Sequence, residues 1–370
     1  MKRTSSLLRS WWWNLVNLVL VHMSRAGVFL VLATLACSHA WGQEDAREFD
    51  REFVHESVES VAAIVDREYF DAEIAAQVAS SLRKRLAEGG YEEVKSLKSL
   101  ADKLTQDLFE ATQDKHLAVT MVEDGSLRST SEVPDVSREI HARRTNFGVQ
   151  RVEILAGNVG YFKLTSFYRP DEARDAISAA MRMLRCADAL IIDLRENSGG
   201  SPDTVALLAS YLFDAPDLPL FDIVPRSGDG VRHYKTLKPG PPDRDGTRPV
   251  YMLTAKQTFS AGEGFAFLLQ QARRAEVVGE QTAGAANPGR PYPVNTQLEV
   301  TVPNGQVRTA VTRQNWEGKG VIPDVPVPAS DALRTAHIRA LREVLKQNPD
   351  GLWQETLKQH LDTLEISGQK

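Results

Sequence analysis

Ala189-Leu-Ile-Ile-Asp-Leu-Arg-Glu-Asn-Ser-Gly-Gly200 and Val250-Tyr-Met-Leu-Thr-Ala-Lys-Gln-Thr-Phe-Ser-Ala-Gly-Glu263 each open on a continuous apolar run and end in small or polar residues. Short apolar runs bounded by turn residues read as buried strands. Each segment leaves its strand for a turn or a helix start. Together they can set exposed backbone N–H groups opposite a hydroxyl nucleophile, an arrangement suited to acyl transfer.

Outward from these strands the pattern stays α/β. A hairpin turns at Ala156-Gly-Asn158, a helix covers Asp171 to Leu184, and Ser201-Pro202 opens another. Arg226 to Arg248, rich in Gly, Pro and Asp, reads as a surface loop or flap. Ser330 caps a helix carrying Leu333, Ile338, Leu341 and Leu345, and Trp353, Leu357 and Leu361 follow in a last helical region. On the N-terminal side three apolar stripes read as helices: Phe53, Val54, Val58, Val61 and Val65, then Ile74, Val78, Leu82 and Leu86, then Leu97, Leu100, Leu104 and Leu108. The expected division is a leader at 1–42, a helical subdomain at 43–122, a polar linker at 123–146, a catalytic domain at 147–329 and C-terminal helices at 330–370.

Within the leader, Met23-Ser-Arg25 is a basic start, Ala26 to Ala36 is unbroken apolar sequence, and small residues follow at Ala40 and Gly42. This is the pattern of a secretory signal peptide, with export to the periplasm or cell envelope as the expectation. Cys37 ends the apolar run, where Thr34-Leu-Ala36 imperfectly matches a lipoprotein box, so a lipid anchor there is a second possibility. Cys186 would then stand alone, without a disulfide partner, and reads as a small core residue beside the apolar strand. The formal charge of −5 becomes more acidic once the leader's four basic residues are set aside, which argues against nucleic acid as a partner. No metal or organic cofactor motif occurs.

Ser260 heads the segment Ala261 to Gln271, where a helix N-terminus favours a developing anion. The same Ser260-Ala-Gly-Glu263 also spells a capping box, which would give the serine a purely structural task. Glycines in Asn197-Ser-Gly-Gly200 suit either an oxyanion hole or a tight turn. Arg195 reads as an ion-pair partner. Among the histidines, His55, His337 and His360 read as solvated helix positions, His233 as part of the loop and His141 as part of the linker. His116, where the helical unit passes into an apolar strand, is the best-placed general base. Glu317, in a loop constrained by Gly318 and Gly320 and shielded by Trp316, is the choice of carboxylate.

These residues resemble peptidase family S41, in the branch of the tricorn-type peptidases and interphotoreceptor retinoid-binding proteins. The motifs that carry the likeness are Asp114-Lys-His116, Asn158-Val-Gly-Tyr161, Ala189 to Gly200, Thr258 to Glu263, Val277 to Gly284 and Trp316 to Asp324. The resemblance implies a core similar to the crotonase and Clp-protease spiral. Ser260 would be the nucleophile, His116 the base and Glu317 the acidic member, with Gly199 and Ala261 forming the oxyanion hole and Gly200 as the near alternative. It also implies a peptide or unfolded-protein substrate. Two departures stand out: Gly284-Ala-Ala-Asn287 lacks the lysine of a Ser-Lys dyad, and Lys115 stands where tricorn-type enzymes carry a serine. The 31 residues between His116 and Gly148 are too few for a PDZ domain, since domains start at roughly 50 residues. Two rival readings remain: a carrier of retinoid or fatty acid on the same scaffold, and a crotonase-like thioester enzyme.

Overall fold

The computed structural model describes residues 50–122, 136–238, 240–347 and 353–367. The leader, including Cys37, and residues 123–135 of the expected linker lie outside them. The α/β architecture expected from the alternation of strands and helices is the one observed. Three N-terminal helices come first: α1 (Arg51–Glu68), α2 (Ala72–Ala87) and α3 (Leu97–Thr112). Their apolar stripes are buried at Val58, Val61, Val65, Val78, Leu82, Leu100, Leu104 and Leu108. Asp71 caps α2 and Ser96 caps α3, each accepting backbone N–H groups of the first turn.

β1 (Ala118–Met121) pairs antiparallel with β10 (Leu298–Pro303), with Ala118 opposite Thr301, and β10 pairs in turn with β9 (Gly289–Pro293). This pairing matters for the site. It anchors the chain just beyond His116 to the second half of the molecule, and the Phe70 N–H bonds the Pro303 carbonyl at 2.9 Å beside it.

The main sheet has six strands in the order β12-β8-β7-β4-β3-β2. β2 (Val149–Leu155) and β3 (Val159–Leu164) form the expected hairpin, while β3, β4 (Ala189–Asp193), β7 (Val250–Thr254), β8 (Glu276–Gly279) and β12 (Val325–Pro326) run parallel. Every residue of β4 and β7 is buried, because helices cover both faces. On one face α5 (Pro170–Met183), α6 (Pro202–Ala209) and α7 (Ala261–Gln271) pack over Phe162, Leu190, Ile192 and Met252. On the other, α8 (Ala329–Gln347) and α9 (Gln354–Ser367) lie against Tyr161, Ile191, Tyr251 and Leu253.

A third sheet, β11-β5-β6, is formed by β5 (Pro219–Pro225), β6 (Arg232–Lys235) and β11 (Gly305–Thr309). The segment read as a flap is therefore partly a hairpin. Arg226 donates to the Asp66 carbonyl at the end of α1, and His233 lies on β6 with Nδ1 2.8 Å from Asp222. The expected linker also contains a helix, α4 (Val136–Arg144), which carries His141.

Two side chains depart from expectation. Cys186 is exposed, because it falls in the turn between α5 and β4, where its carbonyl accepts the Asn158 side chain. His337 is buried on α8, with Nε2 2.8 Å from the Ala156 carbonyl, because that face of α8 meets the hairpin turn. No described helix is long and apolar enough to cross a membrane.

Candidate active site

β4 and β7 are adjacent and parallel, so their carboxyl ends open at the same edge of the sheet, the usual place for a site in a parallel α/β fold. The loops leaving them are tied together. The Phe259 N–H donates to the Asn197 carbonyl at 3.0 Å, and the Thr258 hydroxyl to the Leu194 carbonyl at 2.9 Å. Arg195 is spent on structure: it forks onto Asp193 with Nε at 2.9 Å and Nη2 at 2.6 Å.

Ser260 stands at the start of α7 with φ 52° and ψ −119°, a conformation that L residues avoid and that costs on the order of 1–3 kcal/mol. The surroundings enforce it. Its N–H donates to Glu263 Oε2 at 2.8 Å, the backbone half of the capping box, while its hydroxyl lies 3.0 Å from His116 Nε2. Capping box and reactive pair are thus compatible: the backbone serves one and the side chain faces the other.

His116 arrives from the opposite side. Beyond α3, Gln113 turns in the left-handed region at φ 57°, and Asp114 accepts the His116 N–H at 2.9 Å in an Asx-type turn. The imidazole packs on the Phe259 ring at a centroid distance of 4.9 Å. Burial disfavours its cation and pushes its pKa down to about 4, so the ring is neutral and able to accept a proton.

Glu317 is held by main chain. Its Oε2 accepts the N–H groups of Ala286 at 2.7 Å and Asn287 at 3.0 Å. The two preceding N–H groups, Gly284 and Ala285, serve Glu263 at 2.6 and 3.0 Å, and the Thr282 hydroxyl adds a bond of 2.6 Å. Four consecutive amides therefore seat one buried and one half-buried carboxylate. Trp316 covers this region, with Nε1 on the Ala285 carbonyl at 2.9 Å. Glu317 Oε1 and His116 Nδ1 are both buried and without a hydrogen-bond partner among the described residues. A carboxyl oxygen from each of Asp114 and Glu317 and a ring nitrogen of His116 lie within 4.8 Å of one another. Burial, reinforced by the charge of Asp114, raises Glu317 to about 7.

The glycines divide differently from expectation. The Gly199 N–H donates to Asn197 Oδ1 at 2.9 Å, so it is already committed. The N–H groups of Gly200 and Ala261 make no bond to the described residues, which leaves them as the pair available to a ligand oxygen. Both glycines are required sterically. A Cβ on Gly199 (φ 97°) would lie 2.7 Å from Ser260 Cβ, and one on Gly200 (φ 133°) would lie 2.1 Å from the Phe167 carbonyl oxygen. Gly200, Ser260 and Ala261 line a pocket whose other walls include Val205, Leu268 and Trp316, with Phe221, Ile223, Val307 and Thr309 from the β11-β5-β6 sheet.

Sequence reasoning brought Ser260, His116 and Glu317 to one place but assigned no role to Asp114 and saw Glu263 only as a cap. An Asp two residues before a candidate base is a readable Asx-turn signal. The bond from Tyr69 to Asp114 spans 45 residues and has no local signature.

A hydroxyl and a neutral imidazole in contact at the ends of parallel strands are the marks of the serine-hydrolase class. Comparison with known proteins specifies the lineage. Residues 158–327 match the model of peptidase family S41, and residues 50–146 match the N-terminal domain of Peptidase_S41 in eukaryotic IRBP. The chain belongs to peptidase family S41. It is 26% identical over 204 residues to a carboxy-terminal processing protease of Bacillus subtilis, covering 52% of this chain and 39% of the relative. It is 30% identical over 181 residues to a chloroplastic carboxyl-terminal-processing peptidase of Arabidopsis thaliana, covering 46% and 32%. The chain thus spans well under half the length of these curated relatives. Its fold is shared with a lipoprotein from Streptococcus agalactiae (TM-score 0.51, 14% identity, 78% of this chain and 96% of that one). It is shared too with a mutant of CPAF (TM-score 0.55, 13% identity, 80% and 98%).

Proposed function

We propose that the chain is an exported serine peptidase acting on peptides or unfolded segments of protein. The observation that carries the reading is the 3.0 Å approach of Ser260 Oγ to His116 Nε2. His116 takes the hydroxyl proton as Oγ attacks the scissile carbonyl. The imidazolium so formed is stabilised by Glu317 through Nδ1, and the tetrahedral oxyanion by the Gly200 and Ala261 N–H groups. His116 then returns the proton to the leaving amine, and water, activated by the same imidazole, releases the acyl group. Labelling of the mature protein with a fluorophosphonate tests this: wild type should react, while Ser260→Ala and His116→Ala should not. A correctly folded wild type that stays unlabelled yet binds retinoid or fatty acid would favour the carrier reading, which the apolar cavity supports. Hydrolysis of an acyl thioester by Ser260→Ala would point to the thioester enzyme. Export rests on the leader, and N-terminal sequencing of the envelope protein should find a start near residues 40–43.

The acidic member imposes a pH dependence. Below its pKa, protonated Glu317 would offer a proton to Nδ1 and leave Nε2 carrying the other, the wrong tautomer for a base. kcat/KM should therefore rise through about pH 7 as Glu317 ionises. Glu317→Gln enforces the wrong tautomer permanently and should cost roughly 10³–10⁴ in kcat. Its stability should move the other way. Because the folded protein binds the Glu317 proton more tightly than the unfolded chain does, that stabilisation is complete below the unfolded pKa and lost as pH rises through about 7. At pH 8 the glutamine variant should melt a few degrees higher than wild type, and a lower Tm would contradict the assigned burial cost.

The cavity beside Ser260 is lined mainly by apolar side chains, and such a pocket selects the substrate side chain by desolvation. Peptides with Leu, Met or Phe before the scissile bond should be cleaved about 10–200-fold better than those with Asp or Lys there. Val307→Trp, which fills the cavity, should shift the preference towards Ala. An unaltered profile in that variant would remove the cavity from substrate selection.

A further inference from the structure

Asp114 is 1% exposed, deeper than either His116 or Glu317, and the three-residue reading of the site gives it nothing to do. Its Oδ1 fixes the His116 backbone at 2.9 Å, and its Oδ2 accepts the Tyr69 hydroxyl at 3.2 Å from just beyond the end of α1. A carboxyl oxygen of Asp114, one of Glu317 and a ring nitrogen of His116 lie within 4.8 Å of one another. Two largely desolvated carboxylates at such range cannot both ionise without penalty, so each governs the proton affinity of the other.

We propose that Asp114 is a positioning residue with two tasks: it holds the His116 turn, and through its negative charge it sets the pH at which Glu317 ionises and the imidazole acquires the tautomer that can accept the serine proton. The inference rests on the peptidase reading for its catalytic consequence, but the proton coupling is a property of the resting site. The other titratable and charged groups around the pair are Tyr69 from the end of α1, Lys115 on the Ala283 carbonyl, Glu263 from α7, and Lys319, exposed on the Glu317 loop. Burial raises both carboxyls, and the charge of Asp114 makes the Glu317 proton harder still to remove. Tyr69 stabilises the Asp114 anion by its hydrogen bond and thereby strengthens the effect on Glu317.

The test is a ¹³C titration of the Glu317 carboxyl, assigned against the spectrum of Glu317→Gln and recorded in wild type and in Asp114→Asn. The asparagine keeps an oxygen for the His116 N–H and loses the charge. Its Glu317 midpoint should fall by at least one pH unit, tenfold in proton affinity, and the acid limb of kcat/KM should move with it. A Glu317 midpoint that stays in place would overturn the proposal, whatever happens to kcat, because a merely structural Asp114 leaves it there. Should the asparagine variant fail to fold, Tyr69→Phe replaces it: loss of the hydroxyl should raise the lower of the two midpoints, and no movement would overturn the coupling equally. Both titrations can be repeated in Ser260→Ala, where no turnover is needed. Peptide hydrolysis surviving in that background would sink Ser260 as the nucleophile while leaving the proton coupling to be judged on its own.

Discussion

Ser260→Ala is expected to fold like wild type and to hydrolyse peptides roughly 10⁶-fold more slowly, the scale seen when a nucleophile acting in concert with a base is removed. The structure explains why activity and stability should separate. The bonds that hold residue 260 in place run through its backbone, from its N–H to Glu263 and from the Gly264 N–H to its carbonyl, and alanine retains both. What disappears is the hydroxyl 3.0 Å from His116 Nε2. The left-handed φ of 52° adds a second expectation. Ser260→Gly should be equally inactive yet more stable than Ser260→Ala, by about 1 kcal/mol, because glycine relieves the strain. Thermal melts and turnover of an unstructured peptide decide it; residual activity within tenfold of wild type would mean that another group attacks.

The second large effect should come from Gly200→Ala. The added methyl would sit 2.1 Å from the Phe167 carbonyl oxygen, where only backbone can yield, and the residue holds φ 133°. Phe167 and Gly200 are bridged through the Phe167 N–H to the Gly199 carbonyl at 2.7 Å and the Ser201 N–H to the Phe167 carbonyl at 2.6 Å, so the clash should break the bridge and turn the Gly200 N–H away. Loss of one oxyanion donor costs roughly 10²–10³ in kcat. Strain and overpacking together should cost about 3 kcal/mol of stability. Ser201→Ala, one residue on, should do neither. A Gly200→Ala protein with native Tm and activity would assign the oxyanion donors elsewhere.

The parts of this architecture that were legible in the sequence are those written in local pattern. Uniform apolar runs gave β4 and β7, three apolar stripes gave α1 to α3, and glycine and histidine placement led to Ser260, His116 and Glu317. What escaped notice depends on long-range contact or on backbone. Nothing near Cys186 says that it falls in a turn rather than on the following strand. His337 looks solvated because its sequence neighbours are polar, yet its partner is a carbonyl 181 residues away. Gly199 and Gly200 are indistinguishable by type, and only the Asn197 side chain, folded back on the Gly199 N–H, separates their tasks. The hairpin at 219–235 was obscured by the Gly- and Pro-rich stretch that follows it, which looked like loop throughout.

The four amides from Gly284 to Asn287 supply Glu263, and so the turn that bears Ser260, as well as Glu317, the partner expected for His116. This fitting is made of peptide units, which every residue type but proline provides. Burial still confines their side chains to small residues at 285 and 286, and φ 87° at position 284 favours glycine there. A proline at 285, 286 or 287 would delete one amide and loosen Glu263 or Glu317 without altering Ser260, His116 or Glu317. In a survey of natural variants, such a proline would identify a chain that has kept its serine, histidine and glutamate and lost the means to use them.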